Sequence, residues 1–260
     1  VNIAIDTRLA KLLLVDFIRE EVKTHPFDNA IIGVSGGIDS AVVAYLAKDA
    51  LGSDQVIGIF MPYKTMSEKN RKDAQSVIRD LGISSITVDI SPMVDAFKEI
   101  VEDDDRRRLG SKMIRERMSI LYYYADVHKA VVLGTSNKSE DLLGYFTAHG
   151  DVAWDINPIS GLYKTHIKQL GKELGVPQSI IEKKSTADFW IGQTDEQEFG
   201  FSYDDADIIL SYIEKGYSHK EMVNTGLDRD LIIRVQKRIQ ETAHKRASPA
   251  VPELPDKVFL

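Results

Sequence analysis

Gly33-Val34-Ser35-Gly36-Gly37-Ile38-Asp39-Ser40-Ala41 lies between an apolar run, Ala30-Ile31-Ile32, and a helix-like segment, Ala41-Val42-Val43-Ala44-Tyr45-Leu46-Ala47. Strand, glycine turn and helix in this order aim several backbone N–H groups and a positive helix end at an anion. Glycine is required because a Cβ blocks positive φ angles and keeps phosphate oxygens from the backbone. Ser35 and Ser40 add hydroxyl donors, and Asp39 is suited to a metal ion that bridges phosphates. The stretch reads as a nucleotide-binding loop. It lacks the lysine of the Walker pattern and does not satisfy G-x-G-x-x-G. Two rivals remain: an ordinary glycine turn, and the G-x-S-x-G nucleophile elbow, which Gly33-Val34-Ser35-Gly36-Gly37 also fits.

Outward from this loop, short β-branched runs alternate with helical stretches. The expected strands are 29–34, 55–61, 84–90 and 130–134, and the expected helices are 39–51, 67–82 and 111–128. Alternation at this spacing points to an α/β fold, a Rossmann-like parallel sheet flanked by helices on both faces. The crevice should then lie at the carboxyl ends of the strands, where Ser35 and Gly134 fall. Residues 6–24 read as an amphipathic helix through Leu9, Leu12, Leu13, Val15, Phe17 and Val22, and extra C-terminal helices are expected at 203–215 and 228–244. The charge block 102–108 reads as a solvated loop, residues 184–202 as a long loop that closes over the site, and the proline-bearing tail 248–255 as extended.

The 260 residues are 43% hydrophobic and 28% charged, which suits one substantial core and a single domain over 1–260. A formal charge of −7 argues against a general nucleic-acid binder. The absence of cysteine removes disulfides, thiolate zinc sites and cysteine nucleophiles together. No apolar run approaches ~18 residues, and no signal-peptide profile opens the chain, so no membrane partner and a cytoplasmic location are expected.

A second strand–loop–helix boundary runs Val131-Val132-Leu133-Gly134-Thr135-Ser136-Asn137-Lys138-Ser139-Glu140-Asp141. Alone, Thr-Ser-Asn before a helix is a capping sequence. Beside the first loop it takes a second meaning: two loops at the ends of parallel strands can hold one nucleotide, with Glu140 completing a magnesium site.

The first loop resembles the Ser-Gly-Gly-x-Asp-Ser loop of the ATP pyrophosphatases, which split ATP into AMP and pyrophosphate. Together with Gly134-Thr135-Ser136-Asn137-Lys138-Ser139-Glu140 it resembles the NAD synthetases, the amidating branch of that group. Further matches follow in the family's order: Arg115-Glu116-Arg117-Met118, then Gly150-Asp151 with Asp155-Ile156-Asn157-Pro158, Leu162-Tyr163-Lys164, Ser185-Thr186-Ala187-Asp188 and His244-Lys245-Arg246. The likeness runs from about residue 5 to 255. It departs at Ser111, where the family has asparagine, at Ala148, where many members carry a lysine that contacts the dinucleotide, and at Ser185, which replaces proline.

This resemblance implies joining ammonia to the nicotinate carboxylate of deamido-NAD, with ATP as co-substrate and Mg²⁺ as cofactor. The amides of Gly33, Val34, Ser35, Gly36, Gly37, Ile38, Asp39 and Ser40 would hold pyrophosphate, helped by the two serine hydroxyls. Asp39 and Glu140 would fix the metal, Lys164 and Thr186 would contact ATP phosphates, and Thr135 would position the nucleotide. Ser35, Asp39 and Lys164 would stand at the reacting phosphate. Arg115, Asp155, His244 and Lys245 would recognise deamido-NAD. The family also implies a homodimer, for which the apolar face of 6–24 and Tyr122, Tyr123 and Tyr124 are candidate contacts. With no cysteine and no amidase-length extension, free ammonia is the expected nitrogen source.

Each of these residues has a plainer reading. Arg115 sits on a charged helix as an ion-pair residue would, Asp155 can cap a turn, His244-Lys245 suits a helix end, and Lys164 can be solvated helix surface. Three rival functions stay open: another ATP pyrophosphatase with a different acceptor, a serine hydrolase using Ser35 with His219 or His244, and a nucleotide sensor without turnover.

Overall fold

The computed structural model describes residues 3–254. In chain order the elements are Thr7–Thr24 (α1), Asn29–Gly33 (β1), Ile38–Leu51 (α2), Val56–Phe60 (β2), Glu68–Leu81 (α3), Ser84–Thr87 (β3), Ser91–Val101 (α4) and Arg106–His128 (α5). There follow Ala130–Leu133 (β4), Lys138–Leu143 (α6), Lys164–Leu174 (α7), Gln178–Ile181 (α8), Asp195–Phe199 (α9), Tyr203–Glu214 (α10), His219–Asn224 (α11) and Arg229–Glu241 (α12).

The four strands form one parallel sheet in the order β3-β2-β1-β4. Parallel strands covered on both faces read as unbroken apolar runs, and Ala30-Ile31-Ile32 and Val131-Val132-Leu133 are such runs. Successive side chains then part company across the sheet. Ala30 and Ile32 join a core built with α1, α2, α3 and α7, through residues such as Ile18, Val42, Val77 and Ile167. Ile31 and Val132 join a second core on the opposite face with Val94 of α4 and Met113, Ile120 and Leu121 of α5. The C-terminal helices α10–α12 gather around Leu143 in a third cluster that includes Ile209, Met222 and Ile232. The α/β architecture with helices on both faces is as the alternation requires.

The expected strands are all present, shorter by one to three residues. Three expectations need correction. The block 102–108 is not wholly loop: Asp105 accepts from the N–H groups of Arg107 and Arg108 at 3.0 and 2.9 Å and so starts α5 five residues before the expected 111. Asp103 adds a two-bond clamp on the Arg108 guanidinium at 2.6 and 2.7 Å. Within 184–202 a short helix forms, α9, because the Thr194 hydroxyl caps it by accepting from the Gln197 N–H. On α1, Ile18 and Val22 are buried, whereas Leu9, Leu12, Leu13 and Phe17 are exposed and form an outward apolar surface. The tail has no regular structure through residue 254, and position 255 lies outside the described residues. No helix among the described residues is long and apolar enough to cross a membrane.

Candidate active site

Strand order places β1 between β2 and β4, so the chain leaves β1 toward one edge and later returns on its other side. A crevice opens where the direction reverses, at the carboxyl ends of β1 and β4. The two loops singled out in the sequence leave the sheet at that point. After β1, Ser35 N–H donates to Ser40 Oγ at 3.2 Å, the two serine hydroxyls lie 3.1 Å apart, and Gly37 N–H donates to Ser35 Oγ at 3.2 Å. No side chain caps α2 at Gly37, so its first-turn amides keep the anion-attracting character of an open helix start. Among the described residues no histidine lines the cavity beside Ser35, so a hydrolase elbow there lacks its usual base.

Gly36 has φ +80°, and a Cβ there would run into the backbone carbonyl of Asn70. Gly36→Ala is therefore expected to cost roughly 1–2 kcal/mol from the left-handed backbone alone, with the steric conflict added. It should weaken ATP binding at least tenfold, read by equilibrium titration beside a melting curve. Unchanged affinity would mean that this backbone shape does not serve the anion.

Behind the loops lies a buried charged cluster. Lys164, the first residue of α7, is 2% exposed, and its Nζ donates to Asp39 Oδ2 at 2.6 Å and to Glu140 Oε1 at 3.0 Å. Lys164 as solvated helix surface is thus ruled out. Asn137 ties both loops together: Oδ1 accepts from Glu140 N–H at 3.0 Å while Nδ2 donates to Asp39 Oδ1 at 2.8 Å. Glu140 returns the favour by accepting from Asn137 N–H, so the capping reading of this segment holds, and the same box carries Glu140 into the cluster with Lys164.

The carboxyl of Asp195, in the first turn of α9, accepts from the hydroxyls of Tyr145 and Tyr203 at 3.0 and 3.3 Å. The Tyr203 ring lies 5.1 Å from the Lys164 ammonium. Burial alone would push Lys164 down; the carboxylates of Asp39, Glu140 and Asp195 outweigh it and hold the group above its ordinary value. Burial pushes the Glu140 carboxyl up to about 8 against the pull of Lys164, and raises Asp195 as well.

These elements wall a cavity of about 450 Å³. The expected ATP set meets there: Gly33, Val34, Ser35, Gly37, Ile38, Asp39, Ser40, Thr135, Lys164 and Thr186 all line it, as do Glu140 and Lys245, with Gly36 just behind. The remaining dinucleotide candidates do not line it. Arg115 donates from Nε and Nη2 to the Ala148 carbonyl. Asp155 accepts from Val132 N–H at 2.8 Å and from the Tyr122 hydroxyl at 3.1 Å, and His244 is exposed in a short 3₁₀ turn. Lys245 itself donates to the Gly144 and Phe146 carbonyls.

Several lining residues escaped the sequence reading. Arg117 donates to the Met61 carbonyl at 3.1 Å, and burial lowers its pKa to about 10. Asp151 accepts from Thr147 N–H, and burial raises it to about 6. Asn70, Lys183 and Asp195 line the cavity too, as do Arg107, Lys184, Gln193, Glu198 and Arg238. Arg117 and Asp151 stood inside quoted motifs, whereas nothing local marks Lys183.

Asp39 and Glu140 offer hard oxygen donors close enough to share one ammonium. Mg²⁺ bound with a nucleotide takes one or two carboxylates and fills its shell with phosphate oxygens and water, so the donor set fits. Among the described residues no group of three or more His, Asp or Glu side chains could hold a metal by itself.

Comparison with known proteins follows the same line. A family model described as NAD synthase matches residues 12–249. The NH(3)-dependent NAD(+) synthetase of Fusobacterium nucleatum is 44% identical over 242 residues, 93% of this chain and 94% of that protein. The structure of the NH3-dependent NAD synthetase from Campylobacter jejuni superposes with a TM-score of 0.82 at 35% identity, covering 96% of this chain and all of that one. The structure of NMN synthetase from Francisella tularensis gives 0.84 at 31% identity, again over 96% and 100%. Near-complete coverage in both directions and identity well above what fold alone requires place the chain in the NAD synthase family.

Proposed function

We propose that the chain catalyses ATP-dependent amidation of deamido-NAD by ammonia, giving NAD, AMP and pyrophosphate. The observation that carries this reading is the convergence of the β1 and β4 loops on one cavity around the Asp39–Lys164–Glu140 cluster, in a chain of this family. A carboxylate is a poor electrophile, because its charge repels nucleophiles and oxide does not leave. Attack of a carboxylate oxygen on the α-phosphorus forms an acyl adenylate and expels pyrophosphate. Ammonia then adds to the acyl carbon, the C–O bond to AMP breaks, and the nitrogen sheds a proton to give the amide.

The amides of the loop beyond Val34, whose own N–H is given to the Ile59 carbonyl at 2.9 Å, and the hydroxyls of Ser35 and Ser40 face the leaving pyrophosphate. Asp39 and Glu140 would hold Mg²⁺, which when bound offsets phosphate charge. Lys164 fixes those carboxylates and brings a buried cation to the phosphates, while Thr135 and Thr186 bound the nucleotide. Ammonia is the nitrogen source, a reading supported by the near-full-length match to an NH(3)-dependent relative.

Arg115, Asp155 and His244 recognise the dinucleotide from outside the cavity, at a surface that a second copy completes. Asp155 is bonded to Tyr122, and the exposed Tyr122, Tyr123, Leu9, Leu12 and Leu13 supply apolar contact area for a homodimer. Residues 1–260 act as one such domain in the cytoplasm.

The test is AMP and NAD release from ATP–Mg²⁺ with deamido-NAD and ammonium each added or withheld. AMP formation dependent on both supports the reading. The mononucleotide analogue, nicotinate mononucleotide, belongs in the same assay: a strong preference for it would move the acceptor to that of an NMN synthetase. AMP formation independent of either acceptor would keep the pyrophosphatase chemistry and reject the synthetase. Closure of residues 184–202 is part of the same proposal. ATP–Mg²⁺ with deamido-NAD is expected to slow proteolysis in this segment severalfold, and unchanged cleavage would reject it.

A further inference from the structure

We propose that Lys183 is a positioning residue that sets the conformation of the phosphate-binding loop, resting on the reading of that loop as an ATP and pyrophosphate cradle. Its ammonium has three protons, and all three are committed: to Gly36 O at 2.5 Å, Asn70 Oδ1 at 2.6 Å and Asp73 Oδ2 at 2.6 Å. No proton is left to give to a phosphate, so its effect passes through the loop.

The Gly36–Gly37 peptide is trans, so its carbonyl and its N–H point in opposite directions. Drawing the Gly36 carbonyl onto Lys183 turns the Gly37 N–H to the other side, where it donates to Ser35 Oγ beside the cavity. Two adjacent glycines are otherwise free to rotate this peptide. Rotation would bring the negative end of the carbonyl toward the anion. The seat beneath the loop is firm, since Gly36 rests against the Asn70 backbone and Asn70 is 5% exposed.

Asn70 also explains why the lysine comes from this part of the chain. Its amide is shared: the oxygen accepts from Lys183, while Nδ2 donates to Asp188 Oδ2 at 2.7 Å. That same oxygen of Asp188 accepts from Ser67 N–H at 3.2 Å, at the start of α3. Segment 183–188, which carries Thr186 into the cavity, is thereby registered against the phosphate loop by one side chain. Asp188 adopts φ +54°, a conformation uncommon for a non-glycine residue, and these bonds hold it there.

The experiment compares Lys183→Met, Lys183→Arg and the pair Lys183→Met with Asp73→Asn. The pair removes the carboxylate that the single variant would leave without its cation, and so keeps the fold testable. Equilibrium binding of ATP and of inorganic pyrophosphate, each with Mg²⁺, is measured beside steady-state kinetics. Lys183→Met and the paired variant should bind both ligands at least tenfold more weakly and raise KM for ATP by a similar factor. KM for deamido-NAD should stay within twofold, and Lys183→Arg should recover most of the loss. Wild-type affinity for pyrophosphate in the paired variant would overturn the proposal and leave Lys183 as an ion-pair residue. Equal loss toward both substrates would also overturn it, as global damage. A wild-type chain that binds neither ATP nor pyrophosphate would instead reject the reading of the loop itself.

Discussion

Asp39→Asn is expected to lower AMP formation by about a thousandfold or more, on the order of 4 kcal/mol of transition-state stabilisation, while the protein still folds. Asparagine preserves size, and its remaining oxygen can still accept from Asn137 Nδ2, which bonds Asp39 Oδ1 at 2.8 Å. What it loses is the second carboxylate oxygen and the charge. The new NH₂ would face the Lys164 ammonium, now 2.6 Å from Asp39 Oδ2, as donor against donor. It would also remove one of the two carboxylates available to Mg²⁺. The destabilisation should be modest, because the cluster holds three carboxylates around one lysine and loses part of its own repulsion. The check is steady-state AMP release over a Mg²⁺ titration, with a melting curve beside it. A near-normal rate would remove Asp39 from the mechanism.

The legible parts of this protein are those in which chemistry and chain order coincide. The phosphate loop proposed at 33–40 is built from consecutive residues, so the proposal could be read locally from glycines, serines and an aspartate. The sheet was readable because strands buried on both faces must be apolar throughout. The start of α5 was not, since Arg106-Arg107-Arg108 looks like solvated charge until Asp105 is seen to cap it and Asp103 to clamp it. Lys183 and Asp195 lie beyond local reading for another reason. Their partners are distant in sequence: Lys183 meets Gly36 across 147 residues, and Asp195 meets Tyr145 across 50. The residues proposed for the dinucleotide rest on family likeness. Among the described residues, Arg115, Asp155 and His244 stand apart from the cavity, and no spacing rule joins them.

Lys164→Met should produce the largest loss of stability of any single change at this site. Methionine keeps most of the volume and removes, among the described residues, the one cation in ion-pair contact with Asp39 and Glu140. Breaking a buried pair from one side strands the other charge, which costs about 3–5 kcal/mol and, for a chain of this size, lowers Tm by on the order of ten degrees. The pH dependence separates charge from packing. Burial already raises the carboxyls of Glu140 and Asp195, and without the ammonium both rise further. A carboxyl whose folded pKa exceeds its unfolded value binds more protons in the folded state, so stability falls as pH rises between the two values. The deficit of Lys164→Met relative to the parent should thus be smallest well below the parent's Glu140 value of about 8 and grow as pH rises past it. Adding Glu140→Gln should return part of the stability on the alkaline side of that value without returning turnover. A deficit that is the same on both sides of it, and that Glu140→Gln leaves untouched, would mean that Lys164 holds α7 by packing and that its charge is not what the fold depends on.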